Sequence, residues 1–208
     1  DLSHDQWQEV LDIVRERKLL PLIDFAYQGF GEGLDEDAYG VRLLAENLDE
    51  AIITSSCSKN FGIYCERTGC LIMVAKDSEQ MDNIRSQVAI VARENYSNPP
   101  AHGGAIVSEI LHDEELTALW REELTEMRDR INTLRRDFVA ALKPYGLDEK
   151  YACVAEQRGM FSYTGLTPVD RLRDEFGIYM VRSGRANVAG FSQENLPYLA
   201  KAIAAVND

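Results

Sequence analysis

Apolar residues recur along the chain with two different periods, and the switches between them mark out its elements. Trp7, Val10, Leu11 and Val14 stand at helical spacing behind Ser3-x-x-Gln6, the pattern of a capping box. Arg15, Arg17 and Lys18 follow, where the helix dipole favours positive charge. Residues 19–23 form a short apolar run, read as a buried strand despite Pro21 and ending at Asp24. Residues 51–54 predict a second buried strand and residues 69–75 a third. Between the first two, residues 29–40 are acidic and glycine-rich and read as a solvated loop. Asp77-Ser78-Glu79-Gln80 starts a helix with Met81, Ile84, Val88 and Val91 on its apolar face. Tyr96-Ser97-Asn98-Pro99-Pro100 breaks it, because proline cannot continue a helix and restricts the residue before it.

Residues 113–142 carry the longest periodic pattern, through Leu116, Trp120, Leu124, Met127, Ile131, Leu134 and Phe138. A helix of that length spans about 45 Å and suits a strut between two domains. Beyond Pro144 the pattern changes to short strands around single helices. Residues 160–164 read as a strand. Thr167-Pro168 opens a helix that Gly177 closes, residues 178–181 read as another strand, and Ser192 caps a final helix through Leu196, Leu199 and Ile203. The expected organisation is an α/β unit over residues 1–125 and a small α+β domain over 126–208, joined by the helix at about 113–142.

Composition narrows the function. With 45% hydrophobic residues over 208 positions the chain can bury a core. A net charge of −13 argues against nucleic acid or an anionic membrane as partner, and an anionic substrate would have to be drawn in by local arginines. No apolar run approaches the roughly eighteen residues of a membrane-spanning helix, and no signal peptide is visible. The four cysteines lack metal-ligand spacing, and His4, His102 and His112 are scattered, so no metal site is expected. Reduced, mostly buried thiols in a cytoplasmic protein fit this usage. The chain starts at Asp1, inside a helix-initiating sequence, which suggests a fragment, a cleaved product or a separate domain.

The candidate chemistry follows the second strand. Ser55, Ser56, Ser58 and Lys59 come first, then Phe61-Gly62 and Arg67. Hydroxyls and a guanidinium can hold a phosphate, and an amine can condense with a carbonyl; a polar loop with a surface lysine would use the same residues. Asp24 and Tyr27 lie just past the first strand. In open α/β sheets ligands sit outside the carboxyl ends of the strands, so parallel neighbours would open all these groups onto one crevice. Taken singly, Asp24 is also a turn former and Tyr27 a packing residue.

The segment Ser56-Cys57-Ser58-Lys59-Asn60-Phe61-Gly62, with Glu66-Arg67, resembles the cofactor-lysine segment of class I aminotransferases, in their aspartate and aromatic branch. Three further segments resemble that branch in the same order: Asp24-Phe25-Ala26-Tyr27-Gln28-Gly29-Phe30, then Arg93 with Tyr96-Ser97-Asn98-Pro99-Pro100, then Ser183-Gly184-Arg185-Ala186-Asn187-Val188-Ala189-Gly190. The resemblance spans the chain and implies the C-terminal half of a fold-type-I enzyme. That is the later part of a large α/β domain with a mixed, mostly parallel sheet, plus a small α+β domain.

It also implies pyridoxal 5′-phosphate carried on Lys59, whose amine later moves the substrate's α-proton. By the same resemblance Asp24 pairs with the ring nitrogen, Tyr27 with the ring oxygen, and Ser56 and Arg67 with the phosphate. Arg185 resembles the arginine that takes the α-carboxylate. Arg93 resembles the one that reaches across a homodimer to the distal carboxylate of aspartate or glutamate. Implied partners are amino acids and 2-oxo acids such as 2-oxoglutarate, with the choice between aspartate and aromatic substrates left open. The front of the family pattern would precede Asp1, and the chain alone is expected to be inactive. The rival readings are a non-catalytic dimerising fragment and a fold-type-I enzyme of another reaction type, the latter disfavoured by two carboxylate clamps.

Overall fold

A computed structural model describes residues 2–207. The chain divides into two compact units, residues 2–124 and residues 125–207.

The first unit opens with α1 (His4–Arg17), and its capping box forms as the spacing predicts. Gln6 N donates to Ser3 Oγ at 3.2 Å and Ser3 N to Gln6 Oε1 at 2.8 Å, which satisfies two otherwise orphaned amides. α1 packs on α2 (Tyr39–Asn47), burying Leu11, Val14 and Leu44. The helices meet at Gly40, where any Cβ would strike the Trp7 ring. The expected solvated loop before α2 turns inward instead. Asp37 accepts from the N–H groups of Gly29, Gly31 and Glu32 at 2.8–2.9 Å, and Phe30 is 2% exposed. Its acidity therefore partly serves the loop's own backbone.

β1 (Leu22–Phe25), β2 (Ala51–Ser56) and β3 (Gly69–Val74) form a mixed sheet in that order. β1 and β2 are parallel, with Asp24 opposite Thr54; β2 and β3 are antiparallel, with Ser56 opposite Gly69. β2 is the central strand, and Ala51 and Ile53 are buried. The outer strands differ from expectation. β1 starts later than its apolar run, and Leu19, Leu20 and Leu22 are exposed. Leu71 and Ile72 of β3 are exposed as well, because each outer strand has a neighbour on one side only in this sheet.

α3 (Ser78–Tyr96) begins at Asp77, whose Oδ1 accepts from Gln80 N at 2.8 Å. It is followed by α4 (His102–His112), which the sequence pattern did not reveal. α5 (Glu114–Leu142) is one continuous helix of 29 residues, near the predicted bounds.

In the second unit, Ile131, Leu134, Phe138 and Leu142 of α5 enter a core with Val154, Leu172, Val188 and Ile203. Short helices α6 (Asp148–Tyr151) and α7 (Cys153–Glu156) lead to β4 (Phe161–Tyr163), then α8 (Val169–Phe176), β5 (Arg185–Asn187) and α9 (Leu196–Val206). β4 pairs antiparallel with β5, Tyr163 opposite Arg185. Residues 178–181 are not a strand. Gly177 closes α8 in the left-handed region, Ile178 N returns to Leu172 O, and Gly184 N bonds Val181 O, so this apolar run reverses the chain. Ser192 organises a turn with Asn195, one step before α9 begins at Leu196. Pro168 is the residue before α8 rather than its first member.

Candidate active site

The parallel pairing sets the carboxyl ends of β1 and β2 side by side. Asp24 is the penultimate residue of β1 and is exposed; Tyr27 lies two positions past the end of that strand. Ser56 ends β2, and its Oγ accepts from Ser58 N at 3.2 Å. Lys59 sits in the tight turn that follows, closed by Phe61 N to Cys57 O at 3.3 Å and Gly62 N to Lys59 O at 3.1 Å. Gly62 takes φ +67, a conformation that glycine adopts without strain. The result is direct contact between two candidate residues: Lys59 Nζ lies 4.5 Å from the centroid of the Tyr27 ring.

The turn just before β3 carries the guanidinium of Arg67. Cys57 N donates to Thr68 O at 3.0 Å, extending the ladder past Ser56 and running Arg67 alongside the lysine turn. The approach is close, since a Cβ on Gly69 would strike the Ser55 carbonyl oxygen. Arg67 has φ +53 and donates from Nη1 to Tyr64 O at 2.9 Å. Burial pushes the Tyr64 phenol up, with nearby Tyr27 adding to the shift. Burial likewise raises the half-buried Cys57 thiol, and Cys70 adds to it; Cys65, Cys70 and Cys153 are exposed, against the expectation of mostly buried thiols.

Some contacts around the turn were invisible in the sequence. Trp120 of α5 donates its indole N–H to Asn60 O at 2.7 Å and stacks on Phe61 with centroids 4.4 Å apart. Asn60 is 6% exposed; its Nδ2 donates to Gln28 O at 3.4 Å, and Oδ1 has no partner among the described residues. On the other side, His102 Nδ1 lies 2.9 Å from Glu66 Oε2, and Gly103 sits where a Cβ would strike the Thr68 hydroxyl. Helical periodicity signals that Trp120 has a buried side, but carries no signal for its partner.

Arg93 is not part of the Lys59–Tyr27 contact; it is exposed in the last turn of α3. Arg185 belongs to the second unit. Its guanidinium carbon lies 4.0 Å from the Phe161 ring centroid, and it borders a cavity of about 700 Å³ with largely apolar walls, Met180 and Phe191 among them. Among the described residues no group of three or more His, Cys, Asp or Glu could hold a metal ion, and no helix is long and apolar enough to cross a membrane.

A lysine, a phenol, a carboxylate and hydroxyls at the carboxyl end of a parallel strand pair, with a small α+β unit following, define a class: this is the architecture of the fold-type-I aminotransferases. The family model "Aminotransferase class I and II" matches residues 1–203, and the chain belongs to that family. It is 59% identical to an aromatic-amino-acid aminotransferase of Pseudomonas aeruginosa over 99% of this chain and 52% of the relative. It is 49% identical to an aspartate aminotransferase of Escherichia coli with the same coverage. Among solved structures, the aromatic-amino-acid aminotransferase of Burkholderia pseudomallei, covalently bound to pyridoxal phosphate, superposes with a TM-score of 0.95 at 48% identity, covering 100% of this chain and 53% of that one. A mitochondrial aspartate aminotransferase of Trypanosoma brucei gives 0.94 at 41% identity, covering 100% and 55%. The chain thus spans about half the length of the relatives it matches, 52% of each curated one named above.

Proposed function

We propose that the chain is the C-terminal half of a pyridoxal-phosphate-dependent aminotransferase. It would act on aspartate with 2-oxoglutarate as acceptor, and aromatic amino acids would be a further donor class. The observation that carries this reading is the Lys59 amine over the Tyr27 ring, at the carboxyl end of the parallel strand pair. The donor set fits the cofactor: an amine for its aldehyde, Ser56 and Arg67 for its phosphate, and the Asp24 carboxylate for a protonated ring nitrogen. Bound there, pyridoxal phosphate supplies an electron sink for the charge left when an amino acid loses its α-proton.

The chain's own groups do the rest. Lys59 would hold the cofactor through its amine and, with that amine free, would carry the substrate's α-proton as base and then acid. Asp24 keeps a proton on the ring nitrogen by pairing with its charge. Tyr27 donates its phenolic O–H to the ring oxygen. Arg185 grips the α-carboxylate with two parallel N–H bonds, its face supported by Phe161. Arg93 serves the distal carboxylate of a dicarboxylate from the neighbouring subunit of a homodimer. The apolar cavity beside Arg185 supports acceptance of aromatic side chains. The exposed Leu71-Ile72 pair and Leu19, Leu20 and Leu22 support a further half of the protein packing against this sheet. A cytoplasmic location is part of the same reading.

The test is to reduce the complete, cofactor-loaded protein with borohydride and map the modified peptide. The label is expected on Lys59. No label, or a label on Lys18, Lys76, Lys143, Lys150 or Lys201, overturns the assignment. The 208-residue chain assayed by itself should show no aspartate–2-oxoglutarate turnover.

A further inference from the structure

The turn that carries Lys59 is held from behind by a residue of α5. We propose that Trp120 is a positioning residue for Lys59, clamping the backbone just after it through the indole N–H and the indole ring. The inference rests on the role proposed above for Lys59.

A lysine side chain has four rotatable bonds, so where its amine ends depends first on how firmly its backbone is fixed. Before Lys59 the chain is tied by Cys57 N to Thr68 O at 3.0 Å and by Ser58 N to Ser56 Oγ at 3.2 Å. After it, the two successive residues are both held by one side chain. The indole N–H meets the carbonyl of Asn60 at 2.7 Å, and the indole ring lies on Phe61 at 4.4 Å with the planes 11° apart. The same Asn60 reaches the loop of Tyr27, donating from Nδ2 to Gln28 O at 3.4 Å. Trp120, Asn60 and Gln28 thus connect the backbone beneath the amine to the backbone beneath the phenol that the amine touches. Asn60 keeps this place although its Oδ1 is buried without a partner among the described residues.

The alternative is that Trp120 merely fills space. The two roles separate cleanly, because a filler changes stability alone. A clamp changes where the amine lies, and hence the proton transfer it performs, without touching the grip on substrate carboxylates. In the complete holoenzyme, Trp120→Phe keeps a ring against Phe61 and removes the N–H; Trp120→Leu removes both. Trp120→Phe is expected to lower kcat about 10-fold, within the range a misplacement of up to about 1 Å produces, while KM for the amino acid changes less than about twofold. The pH midpoint of the bound cofactor's visible absorbance should move, since it reports the amine's surroundings. Trp120→Leu should show the same pattern more strongly. Should a Trp120 variant fail to fold, Phe61→Leu, which removes the stacking face from the other side, must show the same split between kcat and KM to a smaller degree.

Variants with the parent's kcat and absorbance midpoint overturn the clamp, as do losses in kcat that merely track the melting temperature. The parent keeps the two readings apart. A parent with no borohydride label on Lys59 fails the proposed function and the clamp with it. A normally labelled parent beside an indistinguishable Trp120→Phe variant fails the clamp alone.

Discussion

Arg135 is a fully buried cation with no acidic partner among its bonds, and replacing it sets two large effects against each other. Its Nη1 donates to Val154 O at 3.2 Å and to Ser162 Oγ; its Nη2 donates to Gly159 O and, at 3.4 Å, to Phe161 O. Its exposure is 0%, and burial lowers its pKa from the ordinary guanidinium value to about 10. That shift corresponds to about 3 kcal/mol spent in burying the charge, which Arg135→Met would recover. The same substitution strands the buried Val154 and Gly159 carbonyls and the Ser162 hydroxyl, at about 1–3 kcal/mol each, while the fourth acceptor, Phe161 O, is only part-buried. The acceptors outweigh the desolvation, and a net destabilisation of about 2–4 kcal/mol is expected. At roughly 2–4 °C per kcal/mol for about 200 residues, the melting temperature should fall by about 5–15 °C.

Urea unfolding, with an unchanged m-value and a lower midpoint, is the assay. A methionine variant as stable as the parent, or more so, would refute the reasoning by showing that desolvation dominates, as it does in some buried ion pairs. The pH dependence offers an independent sign. A base whose pKa is lower in the folded state binds fewer protons there than when unfolded, from about pH 10 upward. Parent stability relative to the variant should therefore be flat below about pH 9 and rise as the pH climbs through about 10.

The remaining predictions concern charge and reactivity. In the complete enzyme, Arg93→Ala should reduce turnover of aspartate and glutamate by roughly thirty-fold to several-thousand-fold and spare phenylalanine and tyrosine; equal losses for both classes would reject the role. Arg185→Ala should depress every amino acid, because all share the α-carboxylate, and steady-state assays across substrates check this. Burial raises the Cys57 thiol above its ordinary value, so near neutral pH it should alkylate more slowly than exposed Cys65, as followed by peptide mass mapping; Cys57 reacting first would contradict this.

What the sequence revealed follows what its signals encode. The α5 period is sustained long enough to leave one reading, and the Ser3 and Asp77 caps are local chemistry that needs no tertiary partner. The lysine turn was legible because an unusual run of hydroxyls precedes the amine and the Ser56 to Gly62 segment is distinctive. Elements whose identity depends on distant contacts were not legible. β5 is Arg-Ala-Asn, which has no apolar alternation, and becomes a strand by pairing with β4. The neighbouring 178–181 run has strand composition but is used to turn the chain. α2 hid behind glycines and acids that Asp37 draws inward. Trp120 was placed on the correct helix, yet a helical period gives the face of a residue and never what that face meets.

Charge decides how an anion site can exist here at all. The chain carries −13, so a phosphate or carboxylate must be captured against a repelling field, and several of its arginines are already paired with acids. Arg42 is paired with Asp35, Arg171 with Glu175, Arg173 with Asp170 and Asp174, and Arg182 with Asp170. Each pair cancels its charge locally and would offer little to a ligand. Arg67 and Arg185 are supported differently. Among the described residues neither has an acid within salt-bridge distance; Arg67 is steered by the Tyr64 carbonyl and Arg185 lies on the face of Phe161. A carbonyl dipole and an aromatic quadrupole orient a guanidinium without neutralising it, leaving N–H groups for an incoming oxyanion. Supports of this kind preserve positive potential at Arg67 and Arg185, the points assigned to phosphate and to α-carboxylate.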